Sequence, residues 1–440
     1  MSSENDFQLN PLTDPGRAQL RWEVTTVGCL YVGYAGLILC RTAVPIAAPA
    51  MIADPSLGLD EESFGVLLGW GAGGALAGKL LCGVAADHFG GRRLFLFAMA
   101  SMAVTTVAFG SSSTHALFML FNFAAQLTKA AGWPAMAKTI GAWFEAGRLG
   151  RIWGIISTSS RASSVLSSLL LGALLTFLPW QWLFVVAGAI TLCVLVVSFF
   201  ALKDSPLAVG LKAPPKLATN TDDTPASAWA GSVSSTLAFF AGNNRVQLIC
   251  VSIVALTLQM EFLSFLPLYM VDVHGLEPGM AGIASSAFPA GSFLSVLGGG
   301  VVYDRLVGRK RISVIATLLA IGVLSVGMLF GLPELSLSPA FALGAAIFAT
   351  FVFGFAVSPA YYIPMSVFAI QFGRSRSGVL IGLIDAFGYA ATMIFAPLAG
   401  ALLEARGWPT FLGILVGVSV MSLVFLTAFL TAEHRASTTS

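Results

Sequence analysis

Four cationic side chains stand well inside apolar stretches of this chain: Arg41, Lys79, Lys129 and Arg161. A charge in hydrocarbon is costly, so such a residue must face protein or a wet cavity, and it marks a candidate site. The first half carries no acid at similar depth, while the second half supplies Glu261 and Asp385, with Gln259 two residues before Glu261. If all six charges meet, the cluster carries a net +2, which suits a small organic anion. Arginine presents a planar fork that matches carboxylate or phosphate, and lysine supplies a point charge. Neither residue type decides between those anions. Tyr34 lies seven residues before Arg41, two helical turns along the same face, so its hydroxyl could join the guanidinium on an oxyanion or simply pack as an aromatic. Glu261 and Asp385 could take up a proton, or pair with cations and lock parts of the chain together. Lys79 stands close enough to a polar loop that it could instead snorkel there.

The elements that must position these residues are membrane helices. Of 440 residues, 57% are apolar and 10% charged, too little charge to cover a water-soluble fold of this size. Crossing a bilayer takes roughly 20 apolar residues in a helix. Twelve such runs are expected near 24–50, 63–86, 93–111, 115–140, 150–178, 182–202, 246–271, 280–303, 312–332, 339–364, 377–403 and 408–431. A β-barrel would show short alternating segments, whereas runs such as 187–201 are apolar on every face. The expected fold is therefore an all-α membrane protein of 12 transmembrane helices in two pseudo-symmetric six-helix bundles. Its layout is an N-terminal tail (1–23), a first bundle (24–202), a linker (203–245), a second bundle (246–431) and a C-terminal tail (432–440). Pro206, Pro214, Pro215 and Pro225 interrupt the linker, with an interfacial helix expected over 226–241.

Arginines and lysines such as Arg21, Arg148, Arg151, Lys203, Arg245 and Lys310 fall on one side if both termini are cytoplasmic. The expected location is the inner (plasma) membrane. Net charge of +2 follows from that topology and gives no sign of nucleic-acid binding. The cysteines, at 29, 40, 82, 193 and 250, all fall within expected spans and read as small apolar residues, with no disulfide, metal site or cofactor expected. His88, His115, His274 and His434 lie in loops or at helix ends without a nucleophile motif or metal-ligand spacing around them, which argues against an enzyme.

One motif occurs twice. Gly83 to Arg93 reads Gly, three residues, Asp87, three residues, Gly91-Arg92, with Arg93 following, and Gly300 to Arg311 repeats it with Asp304, three residues and Gly308-Arg309, an offset of 217 that is close to half the chain. Such an offset implies two related halves. At these positions Asp87, Arg92, Arg93, Asp304 and Arg309 could form a cytoplasmic gate, pairing across the loop or against a neighbouring helix end.

With its central linker, this duplicated loop motif resembles that of the major facilitator superfamily, with one residue more than usual between Asp87 and the arginine pair. The resemblance implies a transporter whose two bundles alternate access to a central site. Within the superfamily the chain resembles the organophosphate:phosphate antiporters, on Arg41, Lys79 ahead of Gly83, Gly132-Trp133-Pro134, Pro267-Leu268-Tyr269 and Phe387-Gly388-Tyr389. That likeness makes Arg41 and Lys79 anion contacts with Tyr34 close by. It also exposes a departure: where the family carries a second arginine in the seventh span, this chain has Gln259. Lys129 and Arg161 could shift the site off the twofold axis. The expected function is a secondary active transporter of a small organic anion, a phosphate ester or a carboxylate, by antiport with phosphate or symport with a proton. The alternative is a membrane sensor that binds such an anion and signals through a partner. A cation exporter would need an acidic cavity, which the buried cations oppose. The superfamily's common state is a monomer.

Overall fold

The computed structural model describes residues 15–212, 242–306, 308–373 and 377–439. Most of the linker, including the expected helix over 226–241, lies outside the described residues, as do Arg374 and Arg376. Everything described is helical or loop. Among the described residues, nine helices are long and apolar enough to cross a membrane.

The first half contains α1 (Pro15–Ile52), α2 (Glu61–Phe89), α3 (Gly91–Gly110), α4 (His115–Lys129), α5 (Gly132–Trp143), α6 (Ala146–Leu175) and α7 (Trp180–Ala201). The second contains α8 (Asn244–Asp272), α9 (Pro278–Ala284), α10 (Ala287–Arg305), α11 (Arg309–Gly331), α12 (Pro339–Gly373) and α13 (Ser377–Thr439). Helix α13 is two arms joined at Gly407, whose φ of 71° breaks the helical run. It continues to Thr439, past the expected end at 431, and α1 begins before the expected start at 24.

The run expected to be continuous over 115–140 is interrupted at Ala130–Ala131. Pro134 is the cause, since a proline offers no N–H to the carbonyl four residues back and its ring crowds that carbonyl. The break leaves Lys129 at the carbonyl end of α4, where a cation is favoured. Pro289 acts alike on Ser285, separating α9 from α10 within the run expected over 280–303.

Helix α1 packs on α6 and α7, α2 on α4, and α3 on α4 and α7; in the second half α8 packs on α13, α10 on α12, and α11 on α12 and α13. The duplication is visible in contacts as well as in sequence. Trp180 donates its indole N–H to Asp54 at 3.1 Å, and Trp408 donates to Asp272 at 3.0 Å. Their numbers differ by 218 for the acids and 228 for the tryptophans. Likewise, a Cβ added to Gly74 would collide with the Phe123 carbonyl, and one added to Gly291 with that of Phe351. These glycines let α2 lie against α4, and α10 against α12, at backbone distance.

The halves meet through α2 with α13, α6 with α9 and α10, and α1 with α8. At the end that carries loop 53–60 the seam is tight: Gly65 faces Ala396 and Gly400, Gly69 faces Pro397, and Gly172 faces Gly279 and Gly282. Phe64 and Phe265 meet edge to face at 5.6 Å, and the Glu62 N–H donates to the Glu404 carboxylate at 3.2 Å. Glycines 147, 150 and 154 have no described atom within 4 Å of an added Cβ, so they make no close helix contact there.

Candidate functional site

Arg41 occupies the centre of the seam. It lines two adjoining cavities and has no hydrogen bond or ion pair among the described residues. Asn122, Gln126, Glu261, Tyr389 and Thr392 line the first cavity. The second has Thr42, Ser164, Ser168 and Ser285, and Ser264 borders both. Glu261 accepts the Ser264 hydroxyl proton at 2.7 Å. Helical spacing explains the convergence: Ile38, Arg41, Thr42 and Pro45 share one face of α1.

Lys129, at the α4 break, is within Coulombic range of Arg41, Lys79 and Glu261, with no hydrogen bond or ion pair among the described residues. Lys79 does not snorkel to the loop; its ammonium donates to Asp385 at 2.7 Å and lies 5.8 Å from the centre of the Tyr389 ring. This ion pair joins α2 of one half to α13 of the other. Both side chains are largely buried, so separating the pair without a replacement partner is costly. Tyr389 is one turn beyond Asp385 on the same face.

Arg161 stacks its guanidinium on Tyr362 at 3.9 Å, and one nitrogen donates to the Ser157 carbonyl at 2.7 Å. Its Nε is buried with no hydrogen-bond partner among the described residues. Tyr34 is buried against Trp133 with ring centres 5.5 Å apart, and Trp133 stacks on Trp153 at 5.2 Å. Lys79 and Arg41 both lie within Coulombic range of the Tyr34 hydroxyl. Arg41, Lys79 and Lys129 are thus gathered near Glu261, Asp385 and several tyrosine hydroxyls, with Arg161 reaching this group through Tyr362, a set suited to holding an anion away from bulk water.

Gln259 stands apart. The 218-residue shift that relates Asp54 to Asp272 also relates Arg41 to Gln259, so Gln259 holds the twofold-related position. It is fully buried, and its amide N–H donates to its own helix at the Ala255 carbonyl, 3.3 Å away. Among the described residues at the seam, the cations without a hydrogen bond or ion pair, Arg41 and Lys129, thus both belong to the first half. Sequence reasoning passed over Asn122, Gln126, Tyr362 and the α6 serines. The one-turn spacing of Tyr389 from Asp385 was a usable signal; the serines gave none beyond ordinary helix packing.

At the duplicated loop, Asp87 pairs with Lys138 of α5 at 2.7 Å on an exposed surface. Arg92 turns instead to the end of α7, donating to the carbonyls of Leu202 at 2.6 Å and Phe199 at 2.7 Å. Asp87 and Arg92 are therefore bound to different helices. Arg93 and Arg309 are exposed, and Asp304 lies in the last turn of α10 with its side chain outside what is described.

The sequence profile of the Major Facilitator Superfamily matches residues 30–371 and 248–440. The chain belongs to that superfamily. It is therefore a multi-pass membrane transporter by family. Over 92% of its length it is 22% identical to a probable hexose phosphate transport protein of Chlamydia muridarum, covering 90% of that protein. A probable hexose phosphate transport protein of Chlamydia trachomatis is 26% identical over 46% of this chain, and that match spans 44% of the relative. The membrane sensor protein UhpC of Salmonella typhimurium is 25% identical over 94% of this chain and 92% of its own length. Among solved structures, the nucleoside transporter NupG superposes with a TM-score of 0.70 at 13% identity, over 92% of this chain and 99% of that one. That likeness concerns the fold.

Proposed function

We propose that this protein carries a small phosphate ester across the inner membrane in exchange for inorganic phosphate, by alternating access between two six-helix bundles (24–202 and 246–431) with both termini in the cytoplasm. The observation that carries this reading is Arg41, unpaired among the described residues and shared by two cavities on the seam between the halves, with Lys129 in Coulombic range. Similarity to hexose phosphate transport proteins favours phosphate over carboxylate.

In this reading the anion is clamped by Arg41 and Lys129, with Tyr34 and Arg161 completing the charge on the first half. Lys79 then leaves Asp385 for the substrate, so the inter-half ion pair and the loaded site exclude one another. Binding loosens one link between the bundles and supplies charge that an empty cluster of cations lacks, which couples occupancy to reorientation. Glu261 and Asp385 are the groups that would take a proton if the coupling ion is H⁺. The Asp87–Lys138 pair and the Arg92 contact with α7 brace the cytoplasmic ends of the first bundle. The active unit is a single chain.

A second reading is supported by Gln259 in the twofold position of Arg41 and by the similarity to a membrane sensor protein: the chain binds the anion and signals without turnover. Reconstitution into phosphate-loaded proteoliposomes separates the two. Efflux of labelled phosphate driven by external hexose phosphate supports the carrier; binding with no exchange supports the sensor.

A further inference from the structure

Away from the seam, an open groove of about 550 Å³ runs between α11 and the second arm of α13. On α13 it follows the row Leu423, Thr427, Thr431 and Arg435, flanked by Ala428 and Ala432, and Ala316 of α11 lines its other side. Residues four apart stack along one helix face, so the groove runs parallel to the helix axis. The alanines make the depression, because at those positions neither helix carries a side chain long enough to fill the space between them. Leu423 and Arg435 are 12 residues apart (435 − 423), about 18 Å of helix. One leaflet of a ~30 Å hydrocarbon core is about 15 Å deep. The groove is therefore as long as one leaflet is deep.

Its mouth is cationic. Arg435 is exposed and lines the groove at the end that carries the C-terminus. A Cβ added to Gly308 would stand 3.1 Å from the His434 ring, so the start of α11 abuts the last turns of α13 and brings the exposed Arg309 and Lys310 to the same end. Gly308 offers no side-chain cap to that helix start, whose N–H groups add partial positive charge. Glu433 is paired with Arg245 at 3.3 Å, and Arg311 turns back to the Leu306 carbonyl at 3.1 Å. The wall below holds one unused donor. Thr431 spends its proton on the Thr427 carbonyl at 2.7 Å, but the buried Thr427 hydroxyl has no hydrogen-bond partner among the described residues. Buried polar groups are nearly always paired, so this hydroxyl points to an acceptor in the groove.

We infer that this groove seats an anionic phospholipid, with one acyl chain along the α13 face, an ester carbonyl accepting from Thr427, and the headgroup phosphate among Arg435, Arg309 and Lys310. Basic pockets between membrane helices suit such headgroups. A zwitterionic lipid brings an ammonium to the same cations and is disfavoured. A second copy of the chain is disfavoured as well, since a twofold contact through this face sets the same cations against each other. The site lies outside the seam that holds Arg41 and stands independently of the transport reading.

The test uses the full-length protein, lacking its five native cysteines, in phosphatidylcholine vesicles. A fluorophore is attached at Ser313→Cys, an exposed position one turn from Ala316 on the same face of α11. Phosphatidylglycerol with a spin-labelled chain is titrated in, against phosphatidylcholine labelled in the same way. The inference predicts that phosphatidylglycerol quenches at about 5- to 30-fold lower mole fraction, one or two cations each contributing about fivefold. Arg309→Gln/Arg435→Gln should erase that preference, and so should Ala428→Phe, which fills the groove and leaves the charges in place. Arg93→Gln, an exposed cation at the corresponding loop of the first half, should keep it. No preference in the parent, or a preference that survives either the charge variant or the groove-filling variant, overturns the inference. Self-quenching between fluorophores on neighbouring chains would assign the groove to a second copy and overturn it too.

Discussion

Replacing Gly65 with alanine should open the end of the molecule that carries loop 53–60. A Cβ at this position would stand 2.5 Å from the Ala396 carbonyl oxygen and 2.9 Å from the Gly400 Cα, where ordinary contact begins at 3.4 Å. Both neighbours are backbone, so neither swings aside, and α2 and α13 must part by roughly 0.9 Å at the tightest point (3.4 − 2.5). Overpacking of this kind costs about 1–3 kcal/mol. The cost falls on the state in which this seam is closed, so the equilibrium between conformers shifts against it by about 5- to 150-fold. The assay is the labelling rate of a single cysteine at Leu68, which lines the first cavity, in a background lacking the five native cysteines. An impermeant thiol reagent is applied from the loop 53–60 side of sealed vesicles. Gly65→Ala should accelerate labelling; Gly28→Ala, exposed with nothing within 4 Å of its Cβ, should not. An unchanged or slower rate in folded Gly65→Ala protein would refute the idea that this seam closes that side.

Asp385→Asn should destabilise the protein by about 1–3 kcal/mol, because Lys79 loses its carboxylate in a largely buried setting; denaturation in detergent reads this. Lys79→Met with Asp385→Leu should regain most of that stability yet exchange no anion, and full exchange would remove Lys79 from the site. Glu23→Gln breaks the two-pronged pair with Arg148, at 2.6 and 3.0 Å, which ties α1 to α6; because Arg148 is half exposed, a loss of only about 1 kcal/mol is expected in the same assay. Hydrogen bonds from Ser56 and Trp180 hold the Asp54 carboxyl below its usual range. A depressed folded-state pKa means the contribution is present at neutral pH and lost as the pH falls through that lowered value. In Asp54→Asn the acid limb of the stability profile should therefore flatten; an unchanged limb would contradict the assignment.

Depth and charge made the buried cations legible in sequence, because Arg41, Lys79, Lys129 and Arg161 have no ordinary place in apolar runs. The twofold partner of Arg41 was legible too, since Gln259 follows from counting back from Pro267. Side-chain direction was not. Nothing in the order of residues says that the Gln259 amide turns onto its own helix, or that Lys79 reaches Asp385 in the other half. Arg92 and Asp87 share a motif, yet one reaches α7 and the other α5, a choice set by how α3 packs. The helix break at Ala130–Ala131 was encoded in Pro134 and that at Ser285 in Pro289, although each expected span extends past it. The serines lining the second cavity were hidden because serines on α6 look the same whether they pack, bond to their own helix or face a cavity.

In the proposed carrier the anion is held asymmetrically, by Arg41 and not by its twofold partner. The most direct measurement is phosphate and hexose phosphate binding by the purified protein, compared with Arg41→Ala and Gln259→Ala. Loss of binding by at least a hundredfold in Arg41→Ala, with Gln259→Ala within a few-fold of the parent, is the predicted result, given that charge-assisted contacts are worth about 1.5–3 kcal/mol each and an arginine makes two. Equal losses in both variants, or undiminished binding in folded Arg41→Ala protein, would contradict it.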